Sequence, residues 1–381
     1  MPTVHWLGAG LSSAPGIRRL AGGDTPLVLW NRTPARARAT VAGLPNPPGI
    51  RELDFSALSA AVNPGDVLVS MLPADLHLKV ARLALDSGAH FISSSYIAPD
   101  MQDLDSEGRT RGLCLVNEVG LDPGLDHLLA HRLLHAYRPL HQEGHRLRFR
   151  SWCGGFPALA NDFRYKFSWS PVGVLRALRS PSRCVENGKE KIVQRPWQGL
   201  SRYEAALPGG HEQFEAYANR DSLPFINQYG FDAGWKLDQF VRGTLRLDGW
   251  AAAWRPLFEE LDTLEGESGE LRLQALGAEL WEKYAYDEGE ADRVVLCVEL
   301  EALDGDTCAW HGGLCIDARG NDTGSAMGRL VSHTVSFAVD SVLAGELPSG
   351  VSAAPADPAL IDKWLCALAE LGDEVHTLPR S

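Results

Sequence analysis

Val116-Asn117-Glu118-Val119-Gly120-Leu121-Asp122-Pro123-Gly124-Leu125-Asp126-His127 is the stretch that decides how the chain is read. Before it, the apolar residues 113–116 have the length and composition of a short buried strand. After its start, leucines at 125, 128, 129, 133 and 134 recur at helical spacing. Asp122 stands at an N-cap position, and Pro123 at the first helical position, where a missing N–H costs nothing. A capped helix after a strand would explain that much without chemistry. Yet Glu118, Asp122 and Asp126 put three carboxylates into nine residues, more than a cap needs. Ligands of open α/β sheets bind beyond the carboxyl ends of strands. The stretch is read as a functional strand-to-helix junction.

Working back toward the N-terminus, residues 3–7 form an apolar strand that runs into Gly8-Ala9-Gly10, then Ala14-Pro15-Gly16 and a helical Ile17-Arg18-Arg19-Leu20. A glycine turn between strand and helix lets backbone N–H groups approach a pyrophosphate. The spacing departs from Gly-x-Gly-x-x-Gly, because Ser13 stands where the third glycine belongs. The next strand, residues 26–30, ends in Asn31-Arg32-Thr33, about 20 residues on, where the ribose-reading residue is expected. An NAD site places a carboxylate there; this chain places Arg32, with Arg36 and Arg38 behind it. Guanidinium groups suit a 2′-phosphate, so NADP(H) is the expected cofactor. A solvated arginine-rich helix face is the bland alternative. Further strands at 66–72 and 90–93 end in Ser70-Met71-Leu72-Pro73 and Ser93-Ser94-Ser95-Tyr96, hydroxyl-rich ends suited to a nicotinamide pocket or to a plain polar turn. Repeated β-α-β order makes this first part a Rossmann-type, doubly wound parallel sheet.

Downstream of the junction the pattern changes. Residues 146–152 alternate as a strand does, and 193, 243–247 and 294–300 are further strand candidates with irregular connections. The expectation is a second α/β substrate domain on a mixed, largely antiparallel sheet. Tyr165-Lys166-Phe167-Ser168-Trp169-Ser170 and Tyr217-Ala218-Asn219-Arg220-Asp221-Ser222 interleave aromatics with hydrogen-bonding groups, as a pocket wall or an amphipathic strand surface would. Acidic residues 256–290, with Leu257, Leu261, Leu264, Leu271 and Leu276 near helical spacing, read as a helical insertion that packs a partner or covers the cleft. The apolar helix after Gly324-Ser325-Ala326-Met327 is expected to return to the first domain. The division is thus 1–126 plus 321–381 for the cofactor domain and 127–320 for the substrate and dimerisation domain.

The chain's 381 residues suffice for two cores, and a net charge of −13 argues against nucleic acid and anionic membranes. Neither a signal peptide nor a run of about 20 apolar residues is evident. Cysteines at 114, 153, 184, 297, 308, 315 and 366 are scattered and odd in number, which fits neither a disulfide framework nor a zinc knuckle and suggests a reducing cytoplasm.

Six motifs in order resemble the saccharopine reductase family: the central junction, Ser70-Met71-Leu72-Pro73 with Ser93-Ser94-Ser95-Tyr96, Trp152-Cys153-Gly154-Gly155-Phe156-Pro157, the segments at Tyr165 and Tyr217, and Arg242-Gly243-Thr244-Leu245-Arg246-Leu247. The resemblance implies NADPH-dependent reduction of the imine of glutamate and 2-aminoadipate 6-semialdehyde to saccharopine, or the reverse, by a cytoplasmic homodimer. It implies Tyr96, Asp122 and Cys153 at the reacting carbon, and Gly154, Arg220 and Thr244 with Tyr96 and Asp122 on substrate. For the cofactor it implies Gly8, Gly10, Leu11, Asn31, Arg32, Thr33, Ser70, Met71, Leu72, Ser94, Ser95 and Leu121. Two departures bear on the substrate. Asn161-Asp162-Phe163-Arg164 replaces the family's Asn-Pro-Leu-Gly, and Val172 replaces an arginine, so Arg164 is read as a relocated carboxylate clamp.

Other classes stay open at this level. A related imine reductase of opine or carboxynorspermidine type would share the cofactor site, and a non-catalytic NADP-binding subunit would keep it without turnover. His127, His131 and His135 at four-residue intervals also suggest a metal-dependent hydrolase, although the His-Glu-x-x-His pattern is missing and no metal is expected.

Overall fold

The computed structural model describes residues 1–380. In chain order, it begins with β1 (Val4–Leu7), α1 (Ala14–Ala21), β2 (Leu27–Asn31), α2 (Pro34–Thr40), β3 (Gly49–Glu52), α3 (Phe55–Ala61) and β4 (Val67–Ser70). Next come α4 (His77–Ser87), β5 (His90–Ser93), α5 (Pro99–Gln102), α6 (Asp105–Arg111), β6 (Cys114–Val116) and α7 (Leu125–Tyr137). The middle of the chain supplies β7 (Arg146–Pro157), α8 (Pro171–Arg179), β8 (Ser182–Glu186), β9 (Lys189–Val193), β10 (Ser201–Leu207) and β11 (Gly210–Ala218). It continues with α9 (Pro224–Gln228), β12 (Lys236–Leu247), α10 (Trp250–Thr263) and α11 (Gly266–Tyr284). The last elements are β13 (Asp292–Asp304), β14 (Thr307–Arg319), α12 (Ala326–Leu343), β15 (Gly350–Ser352), α13 (Pro358–Glu370) and β16 (His376–Thr377).

Two compact units result: Met1–Leu128 with Asp322–Leu371, and Leu129–Asn321 with Gly372–Ser381. The first is built on a parallel sheet of order β15-β6-β5-β4-β1-β2-β3. From β1 the chain winds outward to β2 and β3, then returns to β4 on the other side, so the topological switch lies between β1 and β4. Leu7, Trp30, Leu58, Leu68, Val80, Leu85, Phe91 and Leu115 form its buried core. The strand β3 escaped the sequence reading because Gly49-Ile50-Arg51-Glu52 is a largely exposed edge with no apolar alternation.

The junction itself corrects the sequence reading. The helix begins at Leu125, so Asp122 is not its N-cap and Pro123 is not its first residue; the Asp122-Pro123 bond is cis and both lie in a turn. The glycines dictate this. The Gly120 N–H donates to Pro123 O at 2.9 Å, and the Leu125 N–H to Gly120 O at 3.0 Å. A Cβ on Gly124, at φ +146°, would lie 2.1 Å from Gly120 O, so only glycine permits this crossing.

Gly16, rather than the position of Ser13, provides the close-packing glycine of the first helix. A Cβ there would lie 2.2 Å from Ser332 O on α12, and the Gly16 N–H donates to Ser332 Oγ at 2.8 Å.

The second unit carries the mixed sheet β10-β11-β12-β7-β13-β14-β16, with β8 paired to β12 and β9. The β12–β7 pair is parallel and its neighbours are antiparallel. The helices α10 and α11 pack into this unit's own core, where Trp250, Trp254, Leu261, Leu273 and Leu276 meet Tyr165 and Phe167. Leu271, expected on the apolar stripe, is 68% exposed. The tail differs from the expected 321–381 grouping: β16 pairs with β14 through Leu314↔Thr377 and Cys315↔His376. A two-residue strand leaves no periodic signal to read.

Replacing Gly16 with alanine should force α1 from α12 and cost about 1–3 kcal/mol, as overpacking does. A thermal melt equal to wild type would contradict this contact.

Candidate active site

In the first unit, the loops at the ends of β1, β2, β4, β5 and β6 meet in a line. Asn31 ties the first two: its Oδ1 accepts from the Ala9 N–H at 3.1 Å, and its Nδ2 donates to Thr33 O at 2.8 Å. Gly8 has φ +99°, and a Cβ there would lie 2.7 Å from Met71 O and 3.4 Å from the Leu72 side chain. Ser94 Oγ donates to the Met71 sulfur at 3.7 Å, and a Cβ on Gly120 would touch Ser94 Cβ at 3.0 Å. Leu121 follows, buried. Gly10 has open space where its side chain would be, and Leu11 is 59% exposed, so this backbone is free to be approached by a ligand. Arg32, Arg36 and Arg38 are all exposed, and none makes an ion pair among the described residues.

Between residues 113 and 130, Asp122 alone is not buried. Its Oδ1 accepts from the Tyr96 hydroxyl at 3.2 Å, which brings two of the expected catalytic groups together. The loop bearing Tyr96 is clamped from behind. Glu118, at φ +56°, donates its N–H to Ser95 O at 3.0 Å and accepts from the Ile97 N–H at 3.0 Å. Its other oxygen lies 3.0 Å from His127 Nε2, and His127 Nδ1 lies 3.3 Å from Asp126 Oδ1. Sequence reasoning gave Glu118 no role of its own. His127 is thus engaged by two carboxylates, while His131 and His135 stack on each other at 6.4 Å. No group of three or more His, Cys, Asp or Glu positioned for a metal occurs among the described residues.

In the second unit, three strands align a row on one sheet face. Thr244 of β12 is paired with Cys153 of β7 on one side and Tyr217 of β11 on the other. Gly154 and Gly243 allow this closeness: a Cβ would lie 2.6 Å from Leu245 O and 2.4 Å from Tyr217 O, respectively. Arg220 leaves β11 at φ +53°, with its carbonyl accepting from the Arg183 N–H at 2.8 Å. Glu118, Arg164 and Arg220 are three of the four non-glycine residues with left-handed backbone among the described residues, a conformation costing about 1–3 kcal/mol that concentrates at functional positions.

Arg246 is the residue that the sequence reading quoted but left without a role. It lies two places beyond Thr244 and so on the same face of β12. It is only 7% exposed, and its guanidinium sits 4.8 Å from the Tyr165 ring centre, 5.4 Å from Trp250 and 5.6 Å from Tyr217. Burial raises the pKa of both phenols, so they offer no negative charge. Glu215, opposite Arg246 in register, instead accepts from the Gly249 and Ala251 N–H groups at 3.3 and 2.7 Å. Among the described residues Arg246 makes no ion pair; its guanidinium hydrogen-bonds the Tyr165 and Tyr217 side chains, and its Nε has no partner. The readable signal was two arginines, Arg242 and Arg246, alternating with Thr244 in the buried half of the strand.

Both family departures touch the helical pair. Phe163 stacks on Tyr284 of α11 at 3.9 Å and on Trp254 of α10 at 4.7 Å, and the Trp254 indole donates to Phe163 O at 2.9 Å. Val172 meets α11 at Gly277, where a Cβ would lie 2.5 Å from its Cγ2. Arg164 is exposed beside Gly249, its Nε 3.6 Å from a Cβ built there.

Comparison with known proteins gives the family. Residues 4–116 match the model of the saccharopine dehydrogenase NADP binding domain, and residues 120–373 that of the saccharopine dehydrogenase C-terminal domain. The chain is 34% identical over 255 residues to the saccharopine dehydrogenase [NADP(+), L-glutamate-forming] of Pyricularia oryzae, an alignment covering 65% of this chain and 55% of that protein. It is 37% identical over 203 residues to the mitochondrial alpha-aminoadipic semialdehyde synthase of Rattus norvegicus, covering 51% and 21% respectively. The chain spans about half the length of the curated dehydrogenases it matches. The structure of apo saccharopine dehydrogenase (L-Glu forming) from Saccharomyces cerevisiae superposes with a TM-score of 0.80 at 26% identity, covering all of both chains. With both domain models matched in order along one chain, this protein belongs to the saccharopine dehydrogenase family.

Proposed function

We propose that the protein is an NADP-dependent oxidoreductase that joins glutamate and 2-aminoadipate 6-semialdehyde as an imine and reduces it to saccharopine, or runs the reverse. The observation that carries the reading is Arg246, a buried guanidinium with no anionic partner among the described residues. Burying a charge without its counter-ion costs several kcal/mol, and aromatic faces return only part of that. A substrate carboxylate would complete the site. Saccharopine, with three carboxylates, needs several such anchors, and Arg220 and Thr244 are the others proposed here.

Bound NADPH would supply hydride to the imine carbon. Gly8, Gly10, Leu11, Asn31, Arg32, Thr33, Ser70, Met71, Leu72, Ser94, Ser95 and Leu121 are the proposed cofactor residues, with Arg32 on the 2′-phosphate. Forming the imine releases water, and reducing it takes up a proton. Asp122 and Tyr96, already hydrogen-bonded to each other, are suited to move those protons. Cys153 and Gly154 would line the space near the reacting carbon, and Arg164 remains a proposed outer clamp. The reading includes a cytoplasmic homodimer acting on small amino acids. All seven cysteines are free, and no helix among the described residues is long and apolar enough to cross a membrane; sedimentation at the mass of one chain would withdraw the dimer.

NADPH oxidation across a grid of amino acids and aldehydes tests the reaction. Glutamate with the semialdehyde should turn over fastest, and turnover confined to partners with one carboxylate would refute it.

Arg32→Ala should weaken NADPH at least tenfold, the loss of one charge-assisted contact of roughly 1.5–3 kcal/mol, and leave NADH nearly unchanged. Equal losses for both cofactors in a fluorescence titration would remove Arg32 from the site.

Asp122 does not cap α7, so Asp122→Asn should melt near wild type while kcat falls roughly 10²–10⁴-fold. An active but destabilised variant would make its role structural.

Arg246→Met keeps volume and removes the uncompensated charge. It should melt at or above the wild-type temperature, while KM for the dicarboxylic amino acid rises at least tenfold. A strong loss of stability with KM unchanged would mean that Arg246 serves only the fold.

A further inference from the structure

A histidine outside every motif links two of the cofactor loops. His77, the first residue of α4, is 6% exposed and lies between two serines. Its Nδ1 is 2.8 Å from Ser70 Oγ, at the end of β4, and its Nε2 is 2.8 Å from Ser95 Oγ, just beyond β5. Burial lowers its pKa to about 4, so the imidazole is neutral and offers one N–H and one lone pair.

The direction of this chain follows from Ser70. Ser70 is fully buried, and among the described residues His77 is the only hydrogen-bond partner of its hydroxyl. Were that hydroxyl to accept from Nδ1–H, its own proton would be buried with no acceptor, which is costlier than an idle lone pair. Ser70 therefore donates to Nδ1. The tautomer then carries its proton on Nε2, which donates to Ser95 Oγ. Ser95, half-buried and with no other side-chain hydrogen bond among the described residues, is left with its own O–H proton to donate. Both serines lie at strand ends on the β4–β5 side of the topological switch, opposite to the β2 end that bears Arg32. In a doubly wound sheet, the two ends of a dinucleotide divide across that switch.

We propose that His77 is a positioning residue of the cofactor site: anchored by the buried Ser70 hydroxyl, it fixes the Ser95 hydroxyl as a hydrogen-bond donor to an acceptor at the nicotinamide end of NADPH. This rests on the reading of the first unit as an NADP site.

Equilibrium binding tests it, with NADPH followed by its fluorescence and 2′,5′-ADP by competition. The fragment carries the adenosine and 2′-phosphate but no nicotinamide. The variants are His77→Leu, His77→Gln, Ser95→Ala and the double His77→Leu/Ser95→Ala. Each of His77→Leu and Ser95→Ala should weaken NADPH roughly three- to tenfold, leave 2′,5′-ADP within twofold, and combine with no further loss. His77→Gln, whose amide N–H can replace Nε2–H, should recover most of the affinity. Additive losses, an equal loss of 2′,5′-ADP, or no rescue by glutamine would overturn the assignment. If His77→Leu does not fold, Ser95→Ala and His77→Gln still decide it: the first must weaken NADPH alone, and the second must bind like wild type. A wild-type protein that fails to bind 2′,5′-ADP overturns the NADP reading itself. One that binds it while the losses add overturns only the role of His77.

Discussion

Between β6 and α7 two glycines let backbone cross backbone, and the first unit's candidate site depends on that crossing. With the Gly124 Cβ position 2.1 Å from Gly120 O, any side chain there would push the strand end from the helix start. The crossing turns Asp122 out of an otherwise buried run, toward the Tyr96 hydroxyl. It also brings Glu118 beneath the Tyr96 loop and within 3.0 Å of His127 on the helix. Buried carboxylates near a histidine are tolerable only when hydrogen-bonded, and here each bond also fixes the position of a loop. The same contacts thus satisfy the buried charge and set the geometry in which protons would be moved.

The second unit follows a different rule. Its sheet face is apolar and aromatic, yet it retains Arg246 without a carboxylate among the described residues. Elsewhere in the same unit, buried charges are paired: Arg293 bonds Asp317 and Glu212, and Glu299 meets Arg150 and the Tyr203 hydroxyl. The sequence therefore contains the means to neutralise a buried arginine and does not apply them at Arg246. A buried charge left without its counter-ion costs stability at that place. The α10–α11 pair closes around that place, with Trp250 on the arginine and Trp254 on Phe163.

Much of this was legible in the sequence. Five of the parallel strands announced themselves as short apolar runs, three of them ended by glycine or serine and two by asparagine, and β5 falls on residues 90–93 as read. Exposed or very short strands such as β3 and β16 were not legible, because an edge with little burial has no reason to alternate. The rule that Asp followed by Pro starts a helix failed at residues 122 and 123, since a glycine pair can close its own turn and delay the helix by two residues. Val172 looked like a lost anchor. Its contact with Gly277 gives it a packing role that depends on α11, a hundred residues away in the chain. His77 was invisible for a similar reason: a lone histidine at a helix start acquires meaning only when two strand ends bring serines to both its nitrogens.

The claim at the centre of the account is that Arg246 is held without a counter-ion so that a substrate carboxylate can supply one. The most direct measurement is calorimetric titration of NADP+-loaded protein with saccharopine and with three analogues, each having a different carboxylate replaced by a carboxamide. The account predicts that one analogue binds wild type at least tenfold more weakly than saccharopine, and that Arg246→Met erases the difference between those two ligands. Affinities that are equal for all four ligands, or a preference that persists in Arg246→Met, would contradict it.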